Sequence, residues 1–88
     1  MKKWYVYILE CSDGTLYTGI TTDVNRRLNQ HNSGKGAKYT SIRRPIKLMS
    51  VSEVGDRSDA SKEEYRIKQL TRKEKFEYIL KQQKNKNE

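Results

Sequence analysis

Apolar and polar side chains alternate in two segments near the start of the chain. Residues 4–10 and 15–20 are rich in aromatic and β-branched residues, and such residues favour β-strands. The tripeptide Ser12-Asp13-Gly14 stands between them, and its glycine can adopt the positive φ angle of a tight turn. The pattern predicts an antiparallel hairpin.

The length of this turn decides which side chains share a face of the hairpin. A three-residue loop pairs Tyr7 with Gly19, whereas a two-residue turn places Tyr17 among the aliphatic residues. We favour the three-residue loop because it separates the aliphatic side chains from the phenolic ones. One face then carries Val6, Ile8, Leu16, Thr18 and Ile20, and the other carries Tyr5, Tyr7, Tyr17 and Gly19. We expect Gly19 to leave space beside Tyr7 for another group to approach.

A helical pattern follows in residues 22–32. Thr22 is expected to cap this helix, and Asp23 stands in the first turn, where the helix dipole favours an anion. Val24 and Leu28 are four residues apart and therefore share one face. The pattern predicts a short helix.

The middle of the chain contains a segment without a regular pattern, followed by a segment with a strand pattern. Residues 33–45, "SGKGAKYTSIRRP", contain two glycines and a proline and follow neither the helical nor the strand period, which predicts a loop. Residues 46–54 return to a strand pattern, and Gly55 with Asp56 closes that strand.

Two further helices are predicted in the last third of the chain. From Asp59 onward the pattern is helical, and Ser61 with Glu64 has the spacing of a capping box. Thr71 with Glu74 has the same spacing and predicts the start of the second of these helices.

The elements together predict an α+β fold in the order ββαβαα, with a small three-stranded antiparallel sheet flanked by helices. A chain of 88 residues supports one modest core, so we expect a single domain over residues 1–82. Residues 83–88 contain no apolar side chain, and we expect this polar tail to fray.

Positive charge is concentrated in one part of the chain. The net charge is +8, and residues 23–50 contain seven Lys and Arg residues against one Asp, or +6. Such a patch is typical of proteins that bind a phosphate backbone, although charge alone equally fits a solvated basic surface. The residues expected to bind the backbone are Arg26, Lys35, Lys38, Arg43 and Arg44. Tyr39 is expected to stack on an unpaired base.

Several classes of protein are disfavoured by what the sequence lacks. The single Cys11 forms no internal disulfide, and no cluster of Cys and His suggests a structural zinc site. No apolar run resembles a signal peptide or a membrane span. We therefore expect a cytoplasmic protein with no membrane interaction.

Four short motifs, taken in order, resemble those of the GIY-YIG nuclease superfamily, in particular its small single-domain bacterial members. Two lie in the hairpin, at residues 5–7 (YVY) and 17–19 (YTG). The third is the helical segment "TTDVNRRLNQH", and the fourth is "ASKEEYRIKQL". The resemblance covers residues 4–80, and four motifs in order are more specific than any one of them.

The resemblance implies an endonuclease that uses one divalent cation, Mg²⁺ or Mn²⁺, to hydrolyse phosphodiester bonds of DNA. It assigns the metal to Glu64, although helical spacing alone does not choose between Glu64 and Glu63. It makes Tyr7 the general base or water-positioning group and Tyr17 a group that orients substrate. It also matches Arg27 to the family's catalytic arginine, whose planar guanidinium suits a phosphate.

The role of His31 has two interpretations. Asp23, Arg27 and His31 recur every four residues, so they share a helical stripe distinct from the aliphatic one. In the first interpretation His31 relays the proton of Tyr7 or contacts phosphate. In the second it is a helix-end residue that the dipole favours.

The chain departs from the family pattern in two places. Tyr5 and Val6 replace the first glycine and isoleucine, and "TRKEKFEYI" offers no counterpart of a late asparagine common in larger members. These departures support an alternative function, a non-catalytic nucleic-acid-binding module that keeps the nuclease fold. A domain that needs a partner protein to position its substrate is a third alternative, because a small chain offers little surface for readout. Branched or nicked DNA is the expected substrate, with RNA left open.

Overall fold

The protein is described by a computed structural model that covers the backbone of residues 2–86 and the side chains of residues 2–83. Its elements are β1 (Trp4–Glu10), β2 (Leu16–Thr21), α1 (Val24–Asn32), α2 (Lys38–Ser41), β3 (Lys47–Val54), α3 (Arg57–Lys68) and α4 (Arg72–Lys86). The α+β fold and the order ββαβαα are confirmed, with the one-turn helix α2 added.

The hairpin has the predicted three-residue loop. Gly14 has a φ angle of +83°, which L-residues with a side chain rarely adopt. The Cys11 amide donates to the Thr15 carbonyl at 2.8 Å, and the Gly14 amide donates to the Cys11 carbonyl at 2.9 Å. This loop pairs Tyr7 with Gly19, so the predicted register is confirmed.

The central strand β1 pairs antiparallel with both neighbours, in the order β2-β1-β3. Each face of the sheet contributes to its own apolar cluster. The first cluster contains Val6, Ile8, Ala60, Ile67 and Ile79, with Trp4, Leu16 and Ile20 packed against it. The second contains Tyr7, Leu9, Cys11 and Ile46, with Tyr17 and Leu28 packed against it. Helices α3 and α4 thus cover the aliphatic face, and α1 with the chain before β3 covers the tyrosine face.

Helix α1 begins one residue later than predicted. Asp23, rather than Thr22, is the N-cap, and its carboxylate accepts a hydrogen bond from the Arg26 amide at 3.1 Å. The Thr21 hydroxyl accepts from the Asp23 amide at 3.1 Å. Three adjacent residues can cap a helix here, and the carboxylate of Asp23 takes the position where both its acceptor and its charge favour the helix.

Helix α3 begins earlier than predicted, at Arg57. Its N-cap is Asp56, which accepts from the Asp59 amide at 2.9 Å, while the Asp59 carboxylate accepts from the Asp56 amide at 3.2 Å. This reciprocal pair is a capping box in which aspartate replaces the usual glutamate. The predicted box of Ser61 with Glu64 is wrong, because both residues lie inside the helix.

Helix α4 begins at the predicted box. The Glu74 carboxylate accepts from the Thr71 amide at 2.8 Å, and the Thr71 hydroxyl accepts from the Glu74 amide at 3.2 Å. The helix continues to Lys86. The predicted fraying of residues 83–88 stays a prediction, since residues 87–88 lie outside the described residues.

The segment predicted to be a loop contains the helical turn α2. Thr40 is fully buried, and its hydroxyl donates to the Ala37 carbonyl at 2.9 Å. This local bond closes one turn in a segment whose sequence has no helical period. The basic segment is therefore folded against α1, with which α2 is in contact.

Gly19 has no room for a side chain, because a Cβ atom there would overlap the Tyr7 ring. We expect Gly19→Ala to lower the free energy of unfolding by about 2 kcal/mol, the usual scale for overpacking. Urea unfolding at neutral pH measures this decrease. In a Tyr7→Val background the same substitution should cost much less. An equal cost in both backgrounds would contradict the assigned clash.

Candidate active site

Three aromatic rings come together on the second face of the sheet. The ring centroids of Tyr7 and Tyr17 are 6.4 Å apart, and the His31 ring lies 5.8 Å from the first and 5.3 Å from the second. Tyr7 and His31 are buried, while Tyr17 is half-buried. The expected space beside Tyr7 is absent, because the Tyr7 ring itself fills the position that a side chain on Gly19 would take.

Both ring nitrogens of His31 have hydrogen-bond partners. The Tyr7 hydroxyl oxygen lies 2.9 Å from Nε2, and the Thr40 hydroxyl oxygen lies 2.7 Å from Nδ1. His31 lies in the last turn of α1, as the helix-end interpretation expects, but its ring is fully buried and bonded at both nitrogens. Its role in proton transfer stays a prediction.

Arg27 lies at the margin of this cluster and is half-buried. Its Nη1 atom donates to the Gln30 side-chain oxygen at 3.0 Å. Burial raises the pKa of the Tyr7 phenol above 10, and the neighbouring Arg27 acts in the opposite direction. Burial, followed by the charge of Arg27, lowers the pKa of His31 below 6.5. At neutral pH the phenol is protonated and the imidazole is neutral.

The structure distinguishes the two glutamates of α3. Both oxygens of Glu63 accept from the Arg66 guanidinium, at 2.6 and 3.1 Å. Glu64 instead lies 3.5 Å from the Lys68 ammonium, and its charge contributes to the raised pKa of Tyr7. Of the two, Glu64 is the carboxylate whose charge acts on the Tyr7 phenol, and its assignment to the metal stays a prediction.

Glu64 fits one kind of metal site. In the part of the chain that the structure describes, no three His, Cys, Asp or Glu side chains come together to hold a metal. A single half-buried carboxylate suits Mg²⁺, which keeps several water ligands and often takes the rest from substrate phosphate. The Lys68 ammonium that now faces Glu64 would have to move aside for such an ion.

The cations of the basic segment fall into two groups. Lys35 and Lys38 are exposed, and within the described residues their ammonium groups form no ion pair. Arg43 pairs with Asp13 of the hairpin turn at 3.1 Å. Arg44 donates to the Ser41 carbonyl at 2.9 Å. The two lysines are available to a phosphate backbone, whereas the two arginines also hold the segment in place.

Tyr39 joins the basic segment to the aromatic cluster. Its ring stacks on Tyr17 with centroids 6.1 Å apart, and the Arg43 guanidinium lies over it at 4.0 Å. Tyr39 is 40% exposed, which leaves part of its ring accessible. Its expected stacking on an unpaired base stays a prediction. Arg26 lies elsewhere, in a cavity that it lines with Lys2, Lys3 and Tyr5.

A second cationic surface was missed by the sequence analysis. A cavity of about 280 Å³ lies between Tyr17 and Tyr39 on one side and Lys68 and Lys75 on the other. An adjoining cavity of about 210 Å³ continues past Lys75 to Arg72. Residues 51–88 carry ten cations but also eight anions, so the small net charge of this segment did not indicate a cationic groove. The spacing of Arg72 and Lys75, three residues apart on one helix face, could have indicated it.

Known proteins resemble this chain in both sequence and fold. The model of the GIY-YIG catalytic domain matches residues 3–78. A UPF0213 protein of Streptococcus agalactiae is 58% identical over 81 residues, which cover 92% of this chain and 91% of that protein. In the part of the chain that the structure describes, no helix has the length and apolar character needed to cross a bilayer.

Two solved structures have similar folds. The solution NMR structure of a UPF0213 protein from Bacillus halodurans has a TM-score of 0.57 and 48% identity, covering 88% of this chain and 82% of that one. The solution NMR structure of a protein from E. faecalis has a TM-score of 0.64 and 46% identity, covering 92% and 86%. The chain belongs to the GIY-YIG catalytic domain family.

Proposed function

We propose that this protein is a metal-dependent endonuclease that hydrolyses phosphodiester bonds of DNA. The observation that carries the proposal is the buried pair of Tyr7 and His31, whose phenol oxygen and Nε2 atom lie 2.9 Å apart. Arg27 and Glu64 are close enough for their charges to act on the phenol. Proton transfer, phosphate binding and metal binding need these side-chain types near one point.

Tyr7 is the proposed general base. A phenol whose pKa is raised above 10 accepts a proton poorly unless its own proton can leave in the same step. Neutral His31 offers that route, because the lowered pKa keeps the ring uncharged at neutral pH. The Tyr7 proton moves to Nε2 while the phenol oxygen takes a proton from the attacking water.

Arg27 and Glu64 act on the phosphate. The Arg27 guanidinium uses one nitrogen for Gln30 and has further donors for the oxygens that gain charge in the transition state. Glu64 would hold Mg²⁺ or Mn²⁺ together with water and substrate phosphate. The bound cation would neutralise charge on the phosphate and the leaving oxygen.

The substrate backbone is proposed to follow two cationic surfaces. One is formed by Lys35 and Lys38, and the other is the groove lined by Lys68 and Lys75 beside Tyr39. A groove that combines cations with aromatic rings suits a single strand. We therefore favour branched or nicked DNA, whose strands are locally unpaired, over intact duplex.

One observation favours the alternative of a binding module that does not cut. The Glu64 carboxylate already has a cationic partner in Lys68, at 3.5 Å, and a permanent partner of this kind would occupy the proposed metal site. The ion pair is weak, however, because its Lys68 side is open to solvent, and it contributes about 1 kcal/mol or less. A divalent cation carries twice the charge of the ammonium and can replace it at the carboxylate, so the nuclease remains our proposal.

We expect Glu64→Gln to abolish cleavage of plasmid and branched DNA in Mg²⁺ or Mn²⁺, down to the level seen with chelator. Binding, measured by fluorescence anisotropy, should persist because most affinity comes from backbone contacts. Glu63→Gln is the matched control, since Glu63 pairs with Arg66 away from the cluster. If Glu64→Gln cuts as fast as the parent, or the parent never cuts, the binding module replaces the nuclease.

Tyr7→Phe removes only the hydroxyl that faces His31. We expect kcat to fall about 100-fold or more, the usual contribution of a general base. Because Nε2 of His31 is then buried without a partner, the free energy of unfolding should also drop by about 1–3 kcal/mol. Tyr5→Phe, on the same strand face, is the control for both measurements. A Tyr7→Phe enzyme with parental kcat would show that the phenol takes no part in proton transfer.

Removing Lys35 and Lys38 tests the backbone contacts without disturbing the fold. In the double alanine variant the slope of log affinity against log salt on duplex DNA should become shallower by about 0.9 for each phosphate that the protein no longer neutralises. Lys62→Ala with Lys73→Ala is a control of equal charge, since neither residue lines the groove. Equal slopes in the two double variants would exclude the lysines from the binding surface.

A further inference from the structure

The position of the buried His31 ring does not by itself show which of its two nitrogens carries the proton. A neutral imidazole carries its proton on one nitrogen and a lone pair on the other. Only a lone pair on Nε2, the nitrogen 2.9 Å from the Tyr7 oxygen, can accept the phenol proton. The proposed relay therefore depends on which of the two nitrogens is protonated.

The bonds of Thr40 and Tyr7 together favour one of the two tautomers. The Thr40 hydroxyl donates its one proton to the Ala37 carbonyl at 2.9 Å, so toward Nδ1 of His31, 2.7 Å away, it accepts. Nδ1 then carries the hydrogen, and Nε2 carries the lone pair that accepts the Tyr7 proton. In the opposite arrangement the Ala37 carbonyl would keep the Thr40 and Ser41 amides as donors, but within the described residues the buried Tyr7 proton would have no acceptor.

The whole chain of hydrogen bonds consequently points in one direction. Tyr7 donates to Nε2 of His31, Nδ1 donates to Thr40, and Thr40 donates to the carbonyl of Ala37. Each donor finds an acceptor, as buried polar groups require. The last carbonyl belongs to Ala37, the N-cap of α2, which also accepts from the Thr40 and Ser41 amides at 3.1 Å.

The surroundings keep this arrangement in place. His31 and Thr40 are both 0% exposed, and an exchange of donor and acceptor roles would leave the buried Tyr7 hydroxyl proton without an acceptor among the described residues. A Cβ atom on Gly36 would overlap the His31 ring, so the chain before α2 packs closely against the imidazole. The turn that carries Thr40 is thus part of the packing that holds the ring.

We propose that Thr40 is a positioning residue, which holds His31 in the Nδ1-protonated tautomer and so prepares Nε2 to receive the proton of Tyr7. The catalytic part of this inference rests on the proposed nuclease function. As water attacks, the O–H bond of Tyr7 breaks and an N–H bond forms at Nε2, while the phenol oxygen takes a proton from the water. The leaving oxygen takes its proton from solvent, and the extra proton on Nε2 returns through the Tyr7 oxygen to solvent once the product has left, which restores the starting state.

The tautomer can be measured without any assay of cleavage. His31 is the only histidine of the chain, so the imidazole ¹⁵N signals of untagged, ¹⁵N-labelled protein belong to one residue. At a pH above neutrality we expect Nδ1 to be protonated and Nε2 to be bare. Thr40→Ser should keep this signature, and Thr40→Val should abolish it, giving a mixture of tautomers or protonated Nε2. Protonated Nε2 in the parent protein would overturn the proposal, whether or not the protein cuts DNA.

The kinetic consequence is tested with the same variants. Thr40→Val should lower kcat by about 10-fold or more, the usual scale for groups that orient a reacting histidine or ligand, while KM and the salt slope stay unchanged. Thr40→Ser should restore kcat. Ser41→Ala is the matched control, because the Ser41 hydroxyl makes the same kind of bond, to the Lys38 carbonyl at 2.9 Å, without touching His31.

Circular dichroism and urea unfolding show whether Thr40→Val is folded, and the ¹⁵N signature of the parent protein carries the test if it is not. A folded Thr40→Val protein with parental kcat would overturn the catalytic part of the proposal. A parent protein that does not cut would refute the proposed function, and the tautomer of His31 would then be judged by the ¹⁵N signature alone.

Discussion

The missing side chain at Gly19 lets the Tyr7 ring lie across β2, and the arrangement of the site depends on this contact. With the ring in this position, the phenol oxygen reaches His31 on α1. A side chain on Gly19 would push the ring away and break the connection between sheet and helix. The turn at Gly14 is therefore as important to the site as any reacting group, because the turn length sets the register that pairs Tyr7 with Gly19.

The buried groups and the charged groups of this site lie in different places. The pair of Tyr7 and His31 is buried and neutral at neutral pH, while Arg27 and Glu64, whose charges act on the Tyr7 phenol, are half-buried. Burying a neutral pair avoids the cost of burying an unpaired charge. The charged groups stay near solvent, where a phosphate and a cation can reach them. The same division explains how the apolar cluster on this face can include the Tyr7 phenol.

The sequence was most informative where local chemistry decides structure. The turn at Gly14 and the capping box of Thr71 were predicted correctly, because each depends on residues only a few positions apart. The start of α1 was wrong by one residue, because adjacent residues could each cap the helix. The pairing of Glu63 with Arg66 is a contact three residues apart on one helix, which helical spacing could have indicated. The burial of Thr40 could not be predicted, since it depends on how α2 packs against α1.

Trp4 provides a fluorescence signal for the folding of this protein. This single tryptophan packs against the cluster beneath α3 and α4, and the Arg57 guanidinium lies 5.8 Å from its ring centroid. The buried pair of Tyr7 and His31 lies on the other face of the sheet. The fluorescence of the indole therefore reports on the integrity of the aliphatic cluster, and a variant at Tyr7 can be checked for folding by a signal from the opposite side of the sheet.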